Sequence, residues 1–216
     1  MRALLLKVVF AGILFFIPLC LFAQKTLVEG TVVYKAVVNN PDGSRKEGSY
    51  VISLKNKQVR KELKIGKDFE NVMILDNTDK AYSLKSVNEK NFAVEMSRED
   101  FAKKNDKYYG PVIKDAGETK TIAGKQAQKA VVTYKDGTSV NIYYTKDWLP
   151  ELPHTFERFQ GLNGFPLAFE YKNEQGGIIN FEAIKLDEDV VESAQFKVPV
   201  NYKVISNEEY RQIRSK

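Results

Sequence analysis

Apolar and polar residues alternate with a period of two along most of the chain. In Tyr50-Val51-Ile52-Ser53-Leu54-Lys55, the apolar Tyr50, Ile52 and Leu54 alternate with Ser53 and Lys55. Phe92, Val94 and Met96 alternate with Ala93 and Glu95, and Val140, Ile142 and Tyr144 with Asn141 and Thr145. Leu167, Phe169 and Tyr171 alternate with Ala168, Glu170 and Lys172. A strand turns successive side chains to opposite sides, so this pattern marks strands with one buried and one wetted face, the habit of antiparallel sheets. Turn residues punctuate the runs: Asn40-Pro41-Asp42-Gly43, Asn56-Lys57, Asn77-Thr78, Gln175-Gly176-Gly177, and Lys135-Asp136-Gly137-Thr138 with its strong Asp-Gly hairpin signal. Eleven strand-like segments result: 27–38, 47–55, 58–65, 70–76, 79–86, 91–96, 118–123, 127–135, 138–145, 166–173 and 177–187. Their short spacing, without a βαβ rhythm, predicts a mainly β fold. The expected form is a single large curved antiparallel sheet, a half-barrel of about eleven strands, with a few short helices and loops over its concave face.

Helical signals are few. Ser97-Arg98-Glu99-Asp100 opens a short helix over 97–105 with an N-cap and acidic residues in the first turn. Ser206-Asn207-Glu208-Glu209 is a capping box before a short C-terminal helix. Residues 106–117 read as a loop. Residues 146–165 carry two Pro and two Gly and read as irregular, with one helical turn near 154–160. Segments 97–117 and 146–165 are the material available to cover the concave face.

The amino terminus changes the compartment. Arg2 and Lys7 precede sixteen uncharged residues, 8–23, too short and too broken by Gly12 and Pro18 for a membrane span of roughly 20 apolar residues. Residues 1–23 read as a signal peptide cleaved after Ala23, leaving 24–216 as a single exported domain that functions in the periplasm. The alternative is a lipid anchor at Cys20, set against bulky Leu19 before it and the apolar Leu21-Phe22 after it. Cleavage removes the chain's one cysteine, so the domain folds without oxidation. The 33 basic and 28 acidic residues become 31 and 28 without Arg2 and Lys7, a net charge of +3, too weak and too evenly spread for nucleic acid.

Candidate chemistry is sparse. His154 is the one imidazole and stands in a loop between Pro153 and Thr155 without an assignable Ser or Cys partner. No GxSxG, phosphate-binding or dinucleotide-binding glycine motif is present. Carboxylate pairs such as Glu170 with Glu182 fall on the polar side of their strands, where charges ordinarily meet water. No catalytic residue, metal ligand or cofactor is expected. The aromatic content is more telling, with 13 Phe, 11 Tyr and one Trp, many of them on the apolar parity. They are either ordinary core or the lining of a lipophilic hollow. The candidate lining is Tyr34, Phe92, Val94, Met96, Ile142, Tyr144, Trp148, Leu167, Phe169 and Tyr171.

Three stretches carry a resemblance. Residues 118–145, with Ile122-Ala123-Gly124, Lys129-Ala130, Asp136-Gly137 and Tyr144-Thr145, resemble exported bacterial domains of unknown function grouped with the LolA/LppX-like outer-membrane lipoprotein carriers. Gly164-Phe165-Pro166-Leu167 resembles that family's segment leading into its next strand, and 196–205 resembles its closing pattern. The chain departs where many members have a cysteine after Ile122-Ala123-Gly124; Gln126 or Gln128 stands there. The resemblance covers 118–206 well and 27–96 only by strand rhythm. It implies an unclosed β half-barrel and relatives that carry acyl chains across the periplasm. It transfers no functional residue, because the matched motifs are turn and strand signatures. The leading expectation is a non-enzymatic periplasmic carrier or binding protein for a lipid, an acyl chain or another apolar ligand. The alternatives are an envelope scaffold or protein-interaction module with a filled core, and, third, a hydrolase.

Overall fold

The computed structural model describes residues 24–67, 69–75, 80–87, 89–97, 100, 106–173 and 176–214, without the side chains of Phe69, Glu70, Lys107, Pro153 and His154. The expected signal peptide 1–23 with Cys20, and most of the expected helix 97–105, lie outside the described residues. At the start of that helix Ser97 Oγ accepts the Asp100 N–H at 3.1 Å, as the N-cap reading requires.

Fourteen strands follow one another: β1 (Lys25–Leu27), β2 (Glu29–Asn39), β3 (Arg45–Lys55), β4 (Gln58–Ile65), β5 (Phe69–Leu75), β6 (Ala81–Val87), β7 (Lys90–Met96), β8 (Val112–Ile122), β9 (Lys125–Thr133), β10 (Ser139–Thr145), β11 (Trp148–Pro150), β12 (Phe165–Lys172), β13 (Ile178–Asp187) and β14 (Lys203–Ser206). The helix α1 (Asn207–Arg214) closes the chain. Single 3-10 segments occupy Asp106–Tyr108, Pro153–Phe159 and Ser193–Phe196.

Twelve strands form one open sheet in the order β14-β7-β6-β5-β4-β3-β2-β13-β12-β10-β9-β8. Every pairing in it is antiparallel except β14 on β7. Two meanders are joined at one seam. Strands β2 to β7 pair in chain order, as do β8 to β10 and then β12 and β13, and β13 lies against β2 with Ala183 opposite Tyr34. β1 and β11 form a separate parallel pair. The expected mainly β, open sheet is the fold observed, with twelve strands in the sheet.

The alternation reads directly as two faces. Val32, Tyr34 and Ala36 of β2, Ile52 and Leu54 of β3, Ile142 of β10, Phe165, Leu167 and Phe169 of β12, and Phe181 and Ala183 of β13 are all buried in one cluster on the inner face. The residues between them turn outward.

Part of the outer face is also covered, which the alternation did not foreshadow. After β13 the chain crosses the outer side of β3–β7 to reach the far edge. Lys55 Nζ donates to the Val191 carbonyl at 2.5 Å, and the Val191 N–H donates to Glu29 at 2.8 Å. Arg60 holds the Gln195 carbonyl, and Val198 and Tyr202 pack on Val72, Ile74, Leu84 and Ala93. β14 then runs beside β7, and α1 covers Phe92, Val94 and Ile205 with Tyr210 and Ile213. Its capping box forms as expected: Ser206 Oγ accepts the Glu209 N–H at 3.1 Å, and Glu209 accepts the Ser206 N–H at 2.7 Å.

Residues 112–117, expected as loop, belong instead to β8. This is an edge strand exposed along almost its whole length, with a register shift between Asp115 and Thr119, so burial imposes no alternation on it.

Candidate functional site

The inner face is a trough floored with rings. Phe169 sits at its centre, 5.4 Å from Tyr34, 4.9 Å from Phe181 and 5.2 Å from Tyr171 between ring centroids, and Tyr50 stands 5.1 Å from Phe181. These rings come from β12, β13, β2 and β3 because each stands on the apolar parity of its strand. Burial pushes the phenols of Tyr34, Tyr50 and Tyr171 far above the ordinary tyrosine value, so all three stay neutral. The Tyr34 hydroxyl is satisfied by donating to the Pro166 carbonyl at 2.8 Å. The hydroxyls of Tyr134 and Thr155 are buried without a hydrogen-bond partner among the described residues.

The segment 153–159 lies in this trough. It begins at Leu152 without a side-chain cap, and its helical course breaks at Phe156 (φ −124°, ψ 78°). What fixes it is side chains. Phe156 stands edge-on to Phe165 at 5.0 Å and reaches Phe169 at 6.0 Å; Phe159 stands 5.4 Å from Phe169. The Arg158 guanidinium lies over the rings of Tyr171 (3.8 Å) and Tyr108 (4.3 Å), a cation–π arrangement. Glu157 forms an ion pair with Lys61 at 2.5 Å. Lys61 is 6% exposed on the inner face of β4. Burial raises the Glu157 carboxyl pKa, but the Lys61 ammonium, a backbone hydrogen bond and the Arg158 charge together hold the group below its ordinary value.

Beside the segment is an apolar pocket of about 310 Å³, walled by Leu149, Pro150, Phe156, Phe159, Leu162 and Pro166. Gly164 also borders it, where a Cβ would come within 2.4 Å of the Thr145 carbonyl and the Tyr144 ring; only glycine lets the chain pass there.

Of the ten residues expected to line a hollow, Tyr34, Met96, Ile142, Tyr144, Trp148, Leu167 and Phe169 belong to the one buried cluster, and Tyr171 packs half-buried against it. Phe92 and Val94 share the face of Met96 but are gathered separately, under α1. None of the ten borders the pocket. Sequence reasoning missed Phe156, Phe159, Glu157 and Lys61. The signal for Lys61 was its position: it falls on the apolar parity of Val59-Arg60-Lys61-Glu62-Leu63.

On the outer face, where none of the described residues covers β10, β12, β13 and β2, a shallow groove of about 440 Å³ is bordered by Lys35, Lys120, Tyr143, Glu170 and Glu182 among others. Glu182 is committed to Lys120 at 3.0 Å, so the carboxylate pair considered for hydrolysis faces solvent and is partly ion-paired. The backbone of His154 lies within the trough segment. Among the described residues, no three His, Cys, Asp or Glu side chains gather as metal ligands. No described helix is long and apolar enough to cross a membrane.

No protein-family model matches the sequence, and no curated protein does. Solved structures that the fold resembles include PNGF-II (13% identity, TM-score 0.48, covering 87% of this chain and 33% of that one). Another is MucB (13%, TM-score 0.42, 85% and 62%), also solved with MucA from Pseudomonas aeruginosa. A third is a LolA superfamily protein from Nitrosomonas europaea (9%, TM-score 0.38, 81% and 92%). The chain thus spans a third of PNGF-II and about three fifths of MucB. The third is from the superfamily that residues 118–145, 164–167 and 196–205 resemble. All the TM-scores lie below 0.5, so the functional conclusion rests on this chain's own geometry.

Proposed function

We propose that the protein is an exported, non-enzymatic binding protein of the bacterial envelope. Its aromatic trough receives the apolar part of a ligand, an acyl chain or similar hydrocarbon, in exchange for the segment 153–159. One observation carries this reading. The segment occupies the trough as a ligand would, through Phe156, Phe159 and one ion pair, without joining the ladder of the sheet. An apolar pocket already opens beside it. Burying hydrocarbon there is driven by desolvation, about 0.8 kcal/mol per CH₂. The neighbouring β11 is tied to β1 by only three residue pairs, so the stretch 146–164 is the part that moves as a lid over the trough.

Amide hydrogen exchange with and without a fatty-acyl ligand tests this. Exchange in 153–159 should change on ligand addition while 127–133 does not. Emission from Trp148, which packs on Phe165 at 6.1 Å, should shift as well. Unchanged exchange and emission at saturating ligand would refute the reading.

A second reading, a protein-interaction module with a filled core, is favoured by the rings of Phe156 and Phe159 completing the core without any ligand, and by the uncovered outer groove. It predicts that ligand addition leaves 146–165 unchanged.

A further inference from the structure

Lys61 is out of keeping with its wall. Its inward neighbours along β4 are Val59 and Leu63, and across the ladder it faces Ile52 on β3 and Met73 on β5. A buried ammonium is tolerable only when paired, and the partner comes from outside the sheet: Glu157, on the trough segment. The other polar groups sensing that carboxylate are the Arg158 guanidinium and the phenols of Tyr50 and Tyr171. When the segment lifts, Glu157 and Arg158 leave together, one negative and one positive charge. Lys61 stays behind on the strand, a cation without a counter-charge in an aromatic and aliphatic trough.

A neutral hydrocarbon filling the space of Phe156 and Phe159 would leave that cation unpaired. A ligand with its own carboxylate would replace both halves of what departs. We propose that the ligand is an anionic single-chain amphiphile of the fatty-acid class, whose head group takes the place of Glu157 on Lys61 while its chain takes the place of the two phenylalanine rings. The proposal rests on the apolar-ligand reading above and specifies the chemistry of its ligand. The trough segment is then an internal copy of that ligand in two respects, the Glu157 carboxylate on Lys61 and the Phe156 and Phe159 rings on the aromatic floor.

The experiment compares hexadecanoate with hexadecanol, equal in chain length and different in head charge, by Trp148 emission and by exchange in 153–159, on the full chain. Hexadecanoate should bind about tenfold to a hundredfold tighter, the range for a hydrogen bond to a charged group. In Lys61→Met the preference should vanish. Should that variant fold poorly because Glu157 is stranded, the double variant Lys61→Met/Glu157→Gln, neutral on both sides, gives the same comparison. Glu157→Gln alone should tighten hexadecanoate binding, because the internal competitor for Lys61 is gone. Equal binding of the two probes to the unaltered protein would overturn the anionic head group and leave the apolar-ligand reading standing. A preference that survives in both Lys61 variants would overturn the role of Lys61. Binding of neither probe would overturn both readings together.

Discussion

Among the described residues, two of the pieces of chain that cover the inner side of the sheet are held in different ways. At the β7 edge, β14 is attached through the backbone, four residue pairs from Lys203–Phe92 to Ser206–Glu95; it anchors α1, whose start a capping box fixes and whose Tyr210 and Ile213 rest on Phe92 and Val94. Over the ring-lined trough, 153–159 is attached through side chains, with two Phe rings, one Arg stacked between Tyr rings and one ion pair. A cover made by ladder hydrogen bonds can be replaced only by another strand. A cover made by rings and a carboxylate can be replaced by any molecule offering the same groups. In the proposed function the first belongs to the scaffold and the second is what the ligand displaces.

The contrast can be broken at several strengths. Phe169→Ala removes the ring that both floor and cover share and should destabilise the protein by about 3–5 kcal/mol in a denaturant titration. Exchange in 153–159 should rise far more than in α1. A loss below 1 kcal/mol would mean that the trough is not the core. Acidification reaches each cover through its own carboxylate, Glu157 in the trough segment and Glu209 in the capping box of α1, which the hydrogen bonds from Ser206 hold below its ordinary value. The folded-state pKa of Glu157 lies below its ordinary 4.5, so its contribution is complete above that value and is lost as pH falls through the lower, folded one. Exchange in 153–159, corrected for its intrinsic pH dependence, should therefore loosen below pH 4.5, and Glu157→Gln should abolish that dependence. The smallest effect belongs to the other cover. Ser206→Ala removes the N-cap of α1 and should cost about 1 kcal/mol, read as faster exchange in 207–214 with the trough segment unchanged. Equal responses of the two covers to any of these substitutions would erase the distinction.

The strands were legible because each long one has a wet and a dry side. Tyr34, Ile142, Leu167 and Phe169 are buried where their parity placed them. β1, β11 and β14 were not legible, since three or four residues cannot display a period and their partners are distant in sequence. The crossing of the outer face by 188–202 was equally hidden, because its hold is a few contacts such as Lys55 with Val191. The trough was half visible. Its floor follows from alternation, but its cover comes from residues read as irregular, and Glu157 cannot be told from the other acids until Lys61 is seen beneath it. Phe92 and Val94 share the correct face, yet lie under α1, because parity gives the side of a sheet and not the position along it.

The order of strands also bears on how the chain reaches this state. Within each meander the pairings join neighbours in sequence, apart from β10 with β12, which β11 and 153–159 separate, so most of both can form from local hairpins soon after synthesis. The seam joins residues 31–39 to 178–187, with nearly the whole domain between them. Closing it is the expected slow step, since distant partners must meet before any contact between them helps. Gly30, at φ 151°, marks how tightly it closes, for a Cβ there would lie 2.5 Å from the Asp187 carbonyl. Until then each half shows an unpaired edge and a row of bare rings. For a chain expected to cross a membrane unfolded, the interval between two finished halves and one finished sheet is when it is most open to aggregation and to chaperones.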